Sequence, residues 1–427
     1  MKIKALLAFT AAVAAAPTPA FAQTPETVVI HAGSVVADAA GEASGPATIT
    51  VTDGRIVSIA EGIQPAPAGV EVVDLSGKTV APGLIDLHVH LTGDPGGDFW
   101  KEAVEPDEWG AVVGAKNARL TALAGFTTVR EAGSAQHTGF SLRRGTADGM
   151  IPGPRIVAAG PALAIVGGHG DVTGFRPEIN QLLSSGYTCT GAVECAEKVR
   201  RASQNGADWI KITATGGVLS QQGRGLGAHF TGAEMESIAE TAHSLGLKVM
   251  AHAHGARGVE TASEAGIDTI EHGTYLDEGA IEAMKANGTV LVPTLMAFQG
   301  VTERLGQGIY TPVVEAKIRA VAEVAKVFMG KAHDAGVPIA FGTDAGVFEH
   351  GRNAGEFALM MGQGMSSREA FAAATTIAAE VLEMESQIGR LAPGYSADII
   401  AFDGNPLEDA TVLEDVDWVM VRGQVIE

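Results

Sequence analysis

From Val28 to Gly83, short runs of alternating apolar and polar residues are interrupted by turn formers, the pattern of half-buried β-strands. The clearest is ITVTDGRIVSI, where Asp53-Gly54 offers the positive φ angles of a two-residue hairpin turn. A second stretch of this kind runs from Ala397-Asp398-Ile399-Ile400 to Asp417-Trp418-Val419-Met420-Val421. Neither end has enough apolar residues for a core of its own. The two are therefore expected to pack together as one β-sandwich domain, built from 23–83 and 388–427.

Between them, over 84–387, strand-like apolar runs alternate with helical patterns. The expected strands are LIDLHVH (84–90), TTVREAG (127–133), RIVAAG (155–160) and WIKITAT (209–215). They continue with KVMAHAH (248–254), TIEHG (269–273), TVLVPT (289–294) and IAFGTD (339–344). TGAEMESIAETAHSLG (231–246) reads as a helix that starts in a capping box of Thr231 and Glu234. Eight strands with intervening helices have the size and rhythm of an α/β fold of the (β/α)8 TIM-barrel type. A doubly wound open sheet is the alternative that periodicity alone leaves open.

Composition narrows the class. A chain of 427 residues suggests two or three domains at about 150 residues each. With 46% hydrophobic and 19% charged residues it can fill a large core, which argues against disorder. Fifty acidic against 29 basic residues leave a net charge of −21, which repels phosphate backbones and disfavours nucleic-acid or anionic-membrane partners. The only cysteines, Cys189 and Cys195, are too few for a disulfide scaffold or a Cys-rich zinc module; a pair and two free thiols both remain open. Lys2 and Lys4, the small apolar run Ala5–Ala15 and the Ala20-Phe21-Ala22 site together read as a secretory signal peptide over 1–22. Pro17 and Pro19 break the run too early for a membrane anchor. Cleavage after Ala22 implies a secreted or periplasmic protein with no membrane association.

Candidate chemistry collects at the strand ends. His88 and His90 are two residues apart, so a strand points both to one face. His252 lies on the fifth expected strand and His272 on the sixth; Asp344 ends the eighth, and Lys211 sits within the otherwise apolar fourth. Each residue alone could be an ordinary core histidine, a turn aspartate or a snorkelling lysine. Together they place polar groups at the same end of five strands, and imidazoles with a carboxylate are ligands that zinc or a similar cation prefers.

These pieces carry a family resemblance. APGLIDLHVHL, ADWIKI, VMAHAHG, DTIEHG, FGTDAG and the C-terminal GRLAPGYSADIIAFD resemble, in order and spacing, the amidohydrolase superfamily. The resemblance covers essentially the whole mature chain and implies a distorted barrel with a metal centre. A lysine on the fourth strand marks members with two metals, where carbon dioxide converts it to a bridging carbamate. By resemblance, His88, His90 and Asp344 hold one divalent ion and His252 and His272 the other, with zinc the expected metal. Carboxylated Lys211 and a hydroxide would bridge them, and Asp344 would act as general base and then acid. His169, His254, Tyr275 and Asn353 are the expected substrate-binding groups, while Arg130 reads as half of a structural ion pair with Glu131 or a neighbour. The pattern is similar to Xaa-Pro dipeptidase-like and imidazolonepropionase-like members, including relatives that hydrolyse ochratoxin. The implied substrates are small amides, dipeptides or N-acyl amino acids, and a homo-oligomer is expected. Imidazolone or lactone ring opening, and a non-catalytic binding descendant, are the alternatives.

Overall fold

The computed structural model describes residues 26–221 and 225–427. The expected signal peptide over 1–22 lies outside the described residues. Among those residues, no helix is long and apolar enough to cross a membrane.

The two chain ends do form one β unit. Strands β1 (Thr27–Val35), β2 (Ala47–Thr52), β3 (Arg55–Glu61) and β4 (Glu71–Pro82) come from the N-terminal part. The barrel strands are β5 (Leu84–Val89), β6 (Phe126–Glu131), β7 (Arg155–Ala158), β8 (Trp209–Thr213), β9 (Lys248–Gly255), β10 (Thr269–Tyr275) and β11 (Val290–Val292). The chain ends with β12 (Ile399–Phe402), β13 (Val416–Val421) and β14 (Gln424–Val425). A seven-stranded sheet runs β14-β13-β12-β4-β1-β2-β3, so β12 from the C-terminal end pairs directly with β4 from the N-terminal end. Both ends share one core that includes Ile30, Ile49, Val80, Ile399 and Met420. The β2–β3 hairpin turns where expected, with φ of 48° at Asp53 and 72° at Gly54.

The seven barrel strands pair in parallel in two sheets, β5-β6-β7 and β11-β10-β9-β8. The helix Gly232–Ser244 opens in the expected capping box, with the Thr231 side chain on the Glu234 N–H and the Glu234 carboxylate on the Thr231 N–H. The expected eighth strand differs. Residues 339–344 make no ladder; their region touches its neighbours through isolated parallel bridges, Leu291 with Ile339 and Val89 with Ala345. The reason lies in where its amides go: Phe341 N–H bonds the Ala373 carbonyl, and Thr343 N–H bonds Asp86. A further bridge, Leu163 with Ile212, links the other edges of the two sheets. The result is a distorted (β/α)8 barrel whose seams are single bridges.

Two thiols left open by the sequence are paired: Cys189 and Cys195, both buried, form a disulfide.

Candidate metal centre

Alternation along β5 sends Asp86, His88 and His90 to one face. Asp86 is fully buried and accepts hydrogen bonds from His88 N, Thr343 N, Thr343 Oγ1 and Asn353 Nδ2, which fastens the 339–344 segment beside β5. Burial raises its carboxyl to about 6 despite these donors. Asp344 itself has left-handed backbone, φ 61°, which turns its carboxylate back to the histidines. Its Oδ1 lies 3.5 Å from His88 Nε2 and 3.4 Å from His90 Nε2 and has no hydrogen-bond partner among the described residues.

The second group comes from β9 and β10. His272 Nε2 is 2.9 Å from His252 Nδ1, and the ring of His254 stacks on that of His272 at 4.8 Å. Lys211, 4% exposed on β8, completes the floor. The His88–His90–Asp344 and His252–His254–His272 sets each hold their ligand atoms within 4.8 Å of one another.

Hydrogen-bond partners fix which nitrogen of each ring carries the proton. His88 Nδ1–H donates to Glu271 at 2.7 Å and His90 Nδ1–H to the Gly133 carbonyl at 2.9 Å. His252 Nε2–H donates to the Gly216 carbonyl at 3.3 Å. Thr294 Oγ1 gives its hydrogen to the Pro293 carbonyl, so it accepts Nδ1–H of His272 at 2.6 Å. Each facing nitrogen is therefore a lone pair. Burial holds His88, His252 and His272 well below the usual imidazole range and His90 down to about 4, so no proton is available to bridge them at neutral pH. Lone pairs facing one another at 2.9 Å repel unless a cation lies between them. Ligand atoms at about 2.0–2.1 Å around a tetrahedral zinc are roughly 3.3 Å apart, close to the spacings at Asp344. The donor set fits a divalent metal.

Lys211 and Asp344 are shifted toward neutrality, both mainly by burial. A neutral amine is the form that can react with carbon dioxide.

The site opens into a cavity of about 960 Å³ lined by His88, His90, Lys211, His252, His272 and Asp344. His169 and His254 also line it, the former with its ring 4.2 Å from that of His252 and its Nδ1 on Ser220 Oγ. Two expected substrate groups are elsewhere. Asn353 is fully buried on Asp86, and the Tyr275 hydroxyl reaches the Ala320 carbonyl; neither lines the cavity. Each lies beyond a non-glycine left-handed residue, Tyr275 after His272 within β10 and Asn353 after Asp344, so extrapolating a regular strand misjudges their direction. Arg130 does form an ion pair, with Glu271 and not Glu131. Sequence reading passed over Glu271, Thr294 and Gly216. The sole signal for Glu271 was a carboxylate inside an apolar strand, and for the other two there was none.

Comparison with known proteins agrees with this geometry. A profile described as the Amidohydrolase family matches residues 79–426. Ochratoxinase of Aspergillus niger is 33% identical over 356 residues, covering 78% of this chain and 72% of its own. The crystal structure of a Xaa-Pro dipeptidase with bound methionine in its active site superposes with a TM-score of 0.86 at 36% identity, covering 94% of this chain and all, 100%, of that one. A prolidase structure complexed with N-methylphosphonate-L-proline gives 0.84 at 31% identity, covering 94% and 99%.

Proposed function

The chain belongs to the amidohydrolase family, and we propose that it hydrolyses the amide bond of dipeptides or N-acyl amino acids, ochratoxin-type amides included. It is a hydrolase of carbon–nitrogen bonds, the class of its relatives. The observation that carries the finer reading is the set of inward lone pairs on four imidazoles, three of them buried, beside the Oδ1 of Asp344, which has no hydrogen-bond partner among the described residues.

In this reading His88, His90 and Asp344 hold one divalent ion and His252 and His272 the other, with zinc the expected metal. Lys211 would complete this ligand set as a carbamate. When bound, such ions polarise a carbonyl and lower the pKa of water. Asp344 accepts the proton of the attacking water and passes it to the leaving amine. His169 and His254, held neutral by burial at about 3, can donate one N–H each to a substrate carboxylate or carbonyl. The cavity is roomy enough for a bulky acyl group, and Phe99, Trp109 and Leu183 give its wall an apolar stretch. Export through the segment 1–22 belongs to this reading, and the Cys189–Cys195 pair suits an oxidising compartment.

The test is metal-stripped protein reloaded with zinc and presented with a library of dipeptides and N-acyl amino acids, reading the amino acid released. Turnover that vanishes with chelator supports the proposal. Protein carrying two equivalents of metal that cleaves no amide overturns it.

A further inference from the structure

Beneath the His88 side of the site lies a buried ion pair to which the proposed chemistry assigns no task. Glu271 and Arg130 are both fully buried. Arg130 Nη2 donates to Glu271 Oε1 at 2.8 Å, Arg130 Nε donates to the Leu87 carbonyl at 2.6 Å, and its guanidinium lies 4.5 Å from the centre of the Trp209 ring. Thr269 Oγ1 adds a second donor to Oε1 at 2.5 Å. All of this fixes one oxygen of the carboxylate. The other, Oε2, takes one partner among the described residues, the Nδ1–H of His88 at 2.7 Å.

The division between the two oxygens is informative. An ion pair that only stabilised the fold would be complete at Oε1, and burying it would bring little net stability over apolar residues of the same volume. Here the second oxygen is spent on an imidazole whose opposite nitrogen faces Asp344. A carboxylate on the far nitrogen of a metal-binding histidine fixes its tautomer and orientation and raises its basicity. The left-handed φ of 73° at His272 contributes as well. Neighbours on a regular strand point to opposite faces, yet Glu271 contacts His88 while His272 contacts His252. One kinked strand thus reaches both ligand groups.

We infer that Glu271, held in place by Arg130, is a positioning residue that sets the His88 imidazole for metal binding. The inference rests on the metal-centre reading above. Its test is zinc titration of metal-free protein against a chromophoric chelator, repeated with cobalt to read the absorption bands of the ion. Two variants are used, Glu271→Gln and the double variant R130M/E271L, which replaces the pair with apolar side chains and leaves no lone buried charge. Circular dichroism of the metal-free proteins establishes folding. In either variant one of the two equivalents should bind about 10–100-fold more weakly with altered cobalt bands, the other remaining as in wild type. Wild-type affinity for both equivalents in a folded variant overturns the inference while leaving the metal centre intact. Failure of both variants to fold also overturns it, since the pair would then be structural. Absence of metal uptake by the wild type overturns the metal centre and this inference together.

Discussion

Thr294 has a φ of 54°, a left-handed conformation that a β-branched residue adopts at a cost of about 1–3 kcal/mol. Its hydroxyl accepts the His272 Nδ1–H, which accounts for a strained threonine where glycine would be at ease. Thr294→Gly should therefore separate two effects. The metal-free protein should unfold within about 1 kcal/mol of wild type, because relieved strain offsets the lost contact. Zinc affinity should fall by about tenfold or more, read by chelator competition. Unchanged affinity would mean that the hydroxyl does not orient the ring. Glu131 provides a second residue-scale case, a carboxyl bound to the amide that follows His90. One of its oxygens accepts the Leu91 N–H at 2.7 Å, the other is buried without a partner among the described residues, and burial pushes the carboxyl from 4.5 up to about 8. A folded pKa above the unfolded one means that the unfolded chain releases this proton first as pH rises. Stability from the group is thus full below about 4.5 and is lost as pH climbs toward 8. Glu131→Gln should flatten the stability–pH curve across that window by up to about 1.4 kcal/mol per pH unit, as measured by urea unfolding at a series of pH values. An unchanged slope would show that the carboxyl is not the source.

At the scale of elements, the segment 339–344 replaces a regular strand by threading closely between β11 and β5. Gly342 makes this possible: a Cβ there would sit 2.3 Å from Val292 Cγ1 and 3.1 Å from His88 N. Gly342→Ala should cost about 1–3 kcal/mol through overpacking, seen as a lower melting temperature. Val292 takes the main clash, but His88 must give way as well, so metal content after purification and amide turnover should fall together with stability. A variant as stable as wild type that still loses metal would point to the ring and not the packing. The same segment shows what a sequence can and cannot display. Apolar runs marked seven parallel strands and their histidines, since burial inside a barrel leaves a continuous hydrophobic signature. The Asp53-Gly54 turn and the Thr231–Glu234 box were legible because their chemistry is local. The amide of Phe341 leaving for Ala373, or Thr343 turning to Asp86, depends on residues far away in the chain and leaves no local mark. Non-glycine left-handed positions at His272, Thr294 and Asp344 hide for the same reason, and with them went Glu271's partner and the true directions of Tyr275 and Asn353.

At the scale of the whole molecule, the proposed ligands are drawn from both parallel sheets: His88 and His90 at the end of β5, Lys211 on β8, His252 on β9 and His272 on β10, with Asp344 from the threaded segment. The sheets meet through isolated bridges and scattered amides and not through continuous ladders. A ligand that binds only the folded state stabilises it by about 4 kcal/mol when present at a thousandfold its dissociation constant. Chelation should accordingly lower the melting temperature by several degrees, and zinc should restore it. The loss should also be uneven. The terminal sheet has its own core around Ile30, Ile49 and Ile399 and contains none of the proposed ligands, whereas the seam is held partly by amides such as Asp344 N–H on the His88 carbonyl at 2.7 Å and His90 N–H on the Ala345 carbonyl at 2.7 Å. Hydrogen exchange followed by mass spectrometry should show peptides across 84–92 and 339–347 exchanging much faster after chelation, with those across 27–61 little changed, since local opening follows local stability. Uniform acceleration over both units would mean that the metals stabilise the molecule as one cooperative block; protection unchanged in the seam would mean that they do not bridge it at all.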